Sequence, residues 1–301
     1  ADTFFDRWLS FYPQDKSAVL GKLLILDSQR QFTEGLALSS RVLEKRPDAQ
    51  ISLLKAYFHS RIGQSKPAWN IINASADSVK ELPFVRGIIA RLHLIDKAPE
   101  QAVSHAEAAY DATPNSDNAM LLVASYEMSG KGEQALSFLE KHVAQNANDI
   151  SSSMLLAERQ IRQDRESALA TYEAILAQTP DNFVVLNNLA YLAFEDNDLS
   201  RAETLAKRAV ALRSDNADAV DTLAQIYIAK GDNDAALSLY EEIATRPIAN
   251  EEVYLNHVEL LTELDKTTLA KRRLLAREFK SEASKQRAKA LRAQLGINLD
   301  E

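Results

Sequence analysis

Cysteine is absent from this chain of 301 residues, which removes disulfides, thiolate nucleophiles and cysteine-ligated zinc from consideration. Glycine is scarce, at eight residues, and aromatic residues reach only 7%, a composition that suits neither an all-β chain nor a disordered one. No run of 18 apolar residues occurs, so nothing reads as a membrane-spanning helix. The opening Ala1-Asp2-Thr3-Phe4 lacks the charged start and apolar stretch of a secretory leader. Neither a G-x4-G-K-[ST] nor a G-x-G-x-x-G loop is present, and no serine or threonine sits in a nucleophile-elbow context. Gly130-Lys131-Gly132 reads as a helix–helix turn rather than a phosphate loop.

What is present is a period. Small residues stand at 35, 68, 102, 135, 168, 202, 236 and 270, glycine first and then seven alanines, with every gap 33 or 34. Such a period describes one repeated helical unit in an array where each repeat touches only its neighbours.

Phe183–Asn216 serves as the type unit. Leu186, Leu189, Ala190 and Ala193 form one apolar helical face. Asn197-Asp198 interrupts it as a turn, and Ala202, Leu205, Ala206 and Ala209 resume the period. Ala190 and Ala202 supply the small side chains that two closely crossing helices need. The same pattern recurs as Leu223, Ala224, Tyr227, Gly231, Ala236 and Tyr240, and again as Leu122, Val123, Tyr126, Gly130, Ala135 and Leu139. Proline offers an independent check, because it is excluded from helix interiors. Pro13, Pro47, Pro114, Pro180 and Pro247 fall at the ends of second helices, Pro67 and Pro99 where second helices start, and Pro83 where a first helix opens.

These residues resemble the tetratricopeptide repeat (TPR) family, whose pattern is W-x2-L-G-x2-Y, then A-x3-F, then P. The match reads Leu189-Ala190 with Ala202, Leu223-Ala224-x2-Tyr227 with Ala236-x3-Tyr240, and Ala168-x3-Tyr172 with Pro180. Lys22 and Lys55 depart from it, standing where leucine is usual. The expected fold is all-α, a right-handed α-solenoid of about eight TPR hairpins with a partial N-terminal helix and a C-terminal capping helix. The expected division is 1–15 as the second helix of a truncated preceding repeat, 16–280 as eight repeats, and 281–301 as a basic capping helix and tail. Repeat starts are expected near 16, 49, 83, 116, 149, 183, 217 and 251. Phe4, Phe5, Trp8 and Phe11 make the first segment apolar where a solenoid end is normally polar. The expectation is therefore a piece of a longer array, with a dedicated cap or a dimer surface as the alternative.

The resemblance implies that first helices line a concave groove. Their outward positions are Tyr57, Arg61, Phe84, Arg91, Met120 and Glu127 early in the chain, and Asn187, Tyr191, Asp221, Gln225, Glu252 and Glu259 later. The early set is aromatic with arginine, where binding energy concentrates; the late set is acidic. Some TPR domains clamp a peptide's terminal carboxylate with lysine and asparagine, and that basic set is not supplied here. The acidic groove also disfavours nucleic acid. His59 and His93 occupy the same slot of adjacent repeats and face the hairpin interior, with no converging ligands, so no metal and no cofactor are expected. Nothing supplies a convergent acid, base or nucleophile, so no enzyme is expected. Asn73-Ala74-Ser75 fits a glycosylation sequon of a kind common by chance.

Charge is uneven. The formal net charge is −8, yet nine Lys or Arg against four acids follow residue 270, leaving −13 on 1–270. The stretches Leu186-Asn187-Asn188-Leu189-Ala190-Tyr191, Ala219–Ala224, Tyr254-Leu255-Asn256-His257 and Ala270–Leu275 are similar to the C-terminal end of the large TPR lipoproteins of bacterial PEP-CTERM/exosortase and exopolysaccharide systems, over roughly 180–280. That resemblance implies an envelope scaffold in the periplasm, with any lipid anchor outside these residues. The expected function is a non-catalytic scaffold holding a peptide or protein segment. Alternatives are a self-assembling module, a regulatory subunit of an enzyme complex, an assembly lipoprotein of another secretion or pilus system, and a cytoplasmic location.

Overall fold

The computed structural model describes residues 2–297, and every regular element among them is helical, 19 helices with no strand. Ala1 and the last four residues of the capping helix and tail expected over 281–301 lie outside the described residues. The chain divides into two compact units, 1–156 and 157–301.

In the first unit α1 (Asp2–Phe11) precedes α2 (Lys16–Ser28), α3 (Phe32–Lys45), α4 (Ala49–Arg61), α5 (Ser65–Asn73) and the one-turn α6 (Asp77–Lys80). Then come α7 (Pro83–Ile95), α8 (Pro99–Ala112), α9 (Ser116–Met128), α10 (Gly132–Gln145) and α11 (Ile150–Gln160), inside which the division falls. The second unit continues with α12 (Arg165–Gln178), α13 (Phe183–Glu195), α14 (Leu199–Leu212), α15 (Ala217–Ala229) and α16 (Asn233–Ile243). It ends with α17 (Glu251–Glu263), α18 (Thr267–Leu275) and α19 (Glu282–Gln294).

Three local devices recur and explain the helix boundaries. An Asp or Asn side chain caps most first helices: Asp15, Asp48, Asn115, Asn182, Asn216 and Asn250 each accept an amide of the opening turn. Fourteen residues after the start of α2, α4, α7, α9, α13, α15 and α17 the backbone turns left-handed, at Arg30, Gly63, Lys97, Gly130, Asn197, Gly231 and Asp265. At Lys97 the chain closes as a Schellman turn, with Ala98 N donating to His93 O at 2.8 Å and Lys97 N to Leu94 O at 3.1 Å. Prolines respect these boundaries: Pro83 and Pro99 open α7 and α8, Pro67 is third in α5, and the other five lie between helices.

The third device is the small residue near the start of each second helix. Ala68, Ala102, Ala168, Ala202, Ala236 and Ala270 have no exposed surface, and Ala135 has 2%. Each lets a helix pair approach until larger side chains interlock around it. Tyr172 and Tyr240, four residues on, are fully buried. Leu274 of α18, Ala288 and Leu291 of α19 and Leu295 just after it join the core that α16 and α17 build around Tyr240, Val258 and Leu261.

Two features depart from a plain hairpin array. The helix paired with α4 is short: α5 spans nine residues where α3 and α8 span fourteen. Ser75 Oγ donates back to Ile71 O at 3.0 Å, the kind of side-chain-to-backbone bond that competes with helix continuation. The connection then makes α6 before Pro83. The second departure is Lys22, buried on α2, whose Nζ lies 2.7 Å from Asp6 of α1. That carboxylate explains why a lysine occupies a slot where leucine is usual.

Candidate functional site

The early residues converge in the first unit. Tyr57 on α4 donates its hydroxyl to Asp27 Oδ1 at 2.7 Å, and Arg61 Nη1 donates to the same hydroxyl at 2.7 Å. Burial first, and then the bond to Asp27, push the Tyr57 phenol well above its ordinary value. Arg61 also lies over the Phe32 ring at 4.3 Å and stands 3.6 Å from Asp117. The Tyr57 and Phe84 rings are 5.6 Å apart, and Phe84 is 47% exposed. Tyr57, Phe84 and Arg91 line one open cavity of about 230 Å³, walled by Leu23, Leu54, Phe58 and Ile88 and edged by Asn115, Asp117 and Asn118. Burial and the like charge of Arg61 lower the Arg91 pKa, against the attraction of Tyr57, Asp117 and Asp27. Met120 and Glu127, half-buried on α9, are not part of that lining.

The late residues behave differently. Asp221 on α15 accepts from the Tyr240 hydroxyl at 2.5 Å and from Asn256 Nδ2 at 2.9 and 3.0 Å. Gln225 Nε2 donates to Tyr240 Oη at 3.0 Å. Arg287, on the basic α19, donates to Asn256 Oδ1 at 2.8 Å and forks onto Glu259 at 3.1 and 2.6 Å. Burial raises the Asp221 pKa in spite of these donors. Three of the late residues, Asp221, Gln225 and Glu259, are thus members of one internal network rather than free acidic groove positions. One residue of the basic C-terminal helix, Arg287, thus joins the late zone, through Glu259 and Asn256. Tyr191, 50% exposed, donates to Glu195 at 2.7 Å, and that carboxylate also takes Arg165 at 2.8 Å. Asn187 is half-buried with Oδ1 unpartnered, and Glu252 is exposed.

The histidines sit in packing roles. His59 bonds Gln64 at 2.8 Å, and His93 lies edge-on to Trp69 and stacks on His105. His142 is held between Tyr110 Oη at 2.7 Å and Asp149 Oδ2 at 3.0 Å. An Asp–His–Tyr line has the connectivity of a general-base relay. Here, however, Asp149 also takes Ser116 Oγ, Ser152 Oγ and Ser152 N, so it caps α11 and its oxygens are filled. Burial would raise the Asp149 pKa, but the bonds from His142 and Ser152 outweigh it and hold it low. Among the described residues no group of three or more His, Asp or Glu could hold a metal, and no helix is long and apolar enough to cross a membrane.

The residues that sequence reasoning missed are Asp27, Tyr240, Asn256 and Arg287, each bonded to a position read as groove. The available signal was spacing: Asp221 to Asn256 and Glu259 to Arg287 are each about one repeat apart, 35 and 28 residues.

Comparison with known proteins places the repeats. Tetratricopeptide repeat family models match residues 162–219 and 193–246, so that part of the chain carries TPR repeats. No curated protein matches the chain. Among solved structures, a chain of the APC/C hetero-tetramer Cut9–Hcn1 is similar at 17% identity and a TM-score of 0.54, over 95% of this chain and 58% of that one. The Pseudomonas aeruginosa pilF structure is similar at 16% identity and a TM-score of 0.55, over 71% of this chain and 99% of that one. The present chain spans little more than half the length of the first of these. At such identities the likeness establishes the fold, an all-α solenoid.

Proposed function

We propose that this protein is a non-catalytic interaction scaffold whose first unit holds a peptide segment across Tyr57, Arg61, Phe84 and Arg91. The observation that carries the reading is the contrast between the two sets of outward residues. The early set presents the exposed Phe84 ring and the Arg91 guanidinium at an open cavity, while much of the late set is spent on its own network. Aromatic and arginine side chains are the usual anchors of protein interfaces. Selection from a peptide display library against the full chain tests it. Enriched peptides should weaken about tenfold or more, ~1.4 kcal/mol, on Phe84→Ala, and keep their affinity on Tyr191→Ala. No enrichment, or equal binding to both variants, would sink the reading.

The setting we propose is a bacterial envelope assembly for exopolysaccharide export or protein sorting, with the chain in the periplasm. The sequence likeness over roughly 180–280 supports it, and the gene neighbourhood decides it: absence of export or polysaccharide genes would argue against it.

A second reading, self-assembly, has an observation of its own. Along α1 and just past its end the rings of Phe4, Trp8 and Tyr12 follow one another at 6.1 and 5.0 Å, and Phe4, Trp8, Phe11 and Tyr12 are 41–71% exposed. Sedimentation over a concentration series, with Phe11→Ser as control, distinguishes it; a monomer throughout rejects it.

A further inference from the structure

We infer that the cavity lined by Tyr57, Phe84 and Arg91 receives an acidic side chain, a glutamate or aspartate within a partner peptide, whose carboxylate pairs with the Arg91 guanidinium. This rests on the interaction reading above and names the chemistry that the same site selects.

Arg91 brings an unpaired guanidinium to the cavity. The residue is half-buried, its Nε is fully buried without a hydrogen-bond partner, and no ion pair engages it among the described residues. A guanidinium carries five donors, and here the inner one, on Nε, is left without an acceptor while the side chain lines the open cavity. Its acidic neighbours are turned to other tasks: Asp27 takes the Tyr57 hydroxyl, and Asp117 stands by Arg61. A second cation nearby adds repulsion rather than relief. An incoming carboxylate would give the cavity side of the guanidinium a charged acceptor of its own, in the fork geometry that guanidinium favours.

The rest of the lining says which carboxylate. Asn115 Oδ1 is used by Asn118 N at 2.9 Å, and Asn118 Nδ2 donates to the carbonyls of Ala109 and Thr113 at 3.2 and 2.9 Å. Those two amide groups are therefore already engaged within the protein. The cavity has walls of leucine, isoleucine and phenylalanine, matched to the methylene stem of a side chain. At about 230 Å³ it falls below the usual range for a small-molecule or cofactor site, roughly 300–1,000 Å³. The main chain would stay at the mouth, where exposed Phe84 can meet an apolar neighbour of the acid.

The test uses the full chain and three peptide probes: acetyl-Ala-Phe-Glu-Ala-amide, the same peptide with glutamine for glutamate, and acetyl-Ala-Phe-Ala-Ala with a free terminal carboxylate. The readout is the Nε–H resonance of Arg91. The glutamate peptide should shift it saturably, with at least tenfold weaker response to the glutamine and terminal-carboxylate peptides. Arg91→Met should abolish glutamate-peptide binding while the thermal midpoint holds or rises, since it removes a half-buried guanidinium that holds no ion pair and an unpartnered Nε. An unmoved resonance, equal response to glutamine, equal binding through the terminus, or a lowered midpoint in Arg91→Met each overturns the inference. Display-selected peptides that need Phe84 but leave Arg91 unmoved would refute this inference alone and keep the scaffold reading.

Discussion

Gly35 and Phe58 occupy each other's space: a β-carbon built on Gly35 would lie 2.5 Å from Cζ and 2.6 Å from Cε1 of the Phe58 ring. Phe58 has no exposed surface and sits in the core formed by α2, α3 and α4 with Val42 and Ile51. The ring has no room to withdraw. At the seven equivalent positions downstream an alanine methyl fits. Here the partner is a full ring, so only hydrogen fits.

Gly35→Ala should therefore destabilise the protein by about 1–3 kcal/mol through overpacking, although alanine is the better helix former by about 1 kcal/mol. Urea unfolding measures this directly. Shrinking the ring should relieve the clash, so Gly35→Ala with Phe58→Leu should lose less than the sum of the two single changes. Additive losses would show that the two residues do not collide.

The left-handed turn residues make a second comparison. Lys97 has φ +59° and Gly130 has φ +75° at the same place in their hairpins. A side chain in that region costs roughly 1–2 kcal/mol, part of which glycine returns through its greater freedom in the unfolded chain. Lys97→Gly should raise stability by about 0.5–1 kcal/mol. Gly130→Ala should lower it by about 1 kcal/mol, and since nothing lies within 4 Å of its β-carbon position, the loss is conformational only. Thermal midpoints moving in the same direction for both variants would contradict the turn assignment.

Arg287 ties α19 to α17 by its fork onto Glu259 and its bond to Asn256. Both charged side chains are about one-third exposed, so solvent screening limits the pair to about 1 kcal/mol. Arg287→Ala should speed amide exchange across 282–294 about fivefold, the equivalent of ~1 kcal/mol, with little change in α13. High salt should move wild type the same way. Unchanged exchange would mean that Ala288, Leu291 and Leu295 alone dock the helix.

The periodic features were legible because each obeys a constraint local to its own repeat. Alanine at a crossing, proline at a joint and Gly130 or Asn197 in a turn need only the chain beside them. Charges were less legible, because their partners lie one repeat away. Glu173 meets Arg201, Glu203 meets Lys230, Arg165 meets Glu195 and Asp218 meets Asn250, at separations of 27 to 32 residues. A search for opposite charges near that spacing would have joined Glu259 to Arg287. The one-turn α6 and the His142–Asp149 bond have no periodic signature at all. The cavity at Arg91 was half legible: its residues were named, but that Arg61 and Tyr57 satisfy each other and leave Arg91 alone depends on side-chain directions.

His257 yields the pH prediction. It is buried on α17, stacked on Tyr240 at 5.1 Å, and neither ring nitrogen has a hydrogen-bond partner. Burial, reinforced by the charge of Arg273, lowers its pKa from 6.5 to about 4. The unfolded chain therefore binds a proton near pH 6.5 that the folded chain resists until about pH 4. Across that window the unfolded state holds more protons, so stability falls as the pH falls and is fully regained above 6.5. The shift corresponds to a loss on the order of 3 kcal/mol. Other buried groups also titrate under acid, so the informative quantity is the difference between two stability curves. His257→Phe keeps the stack on Tyr240 and has no nitrogen to leave unsatisfied. At pH 7.5 it should match or exceed wild type, and its advantage should grow steadily from pH 6.5 down to 4. Parallel curves over that interval would show that His257 takes up its proton equally in both states.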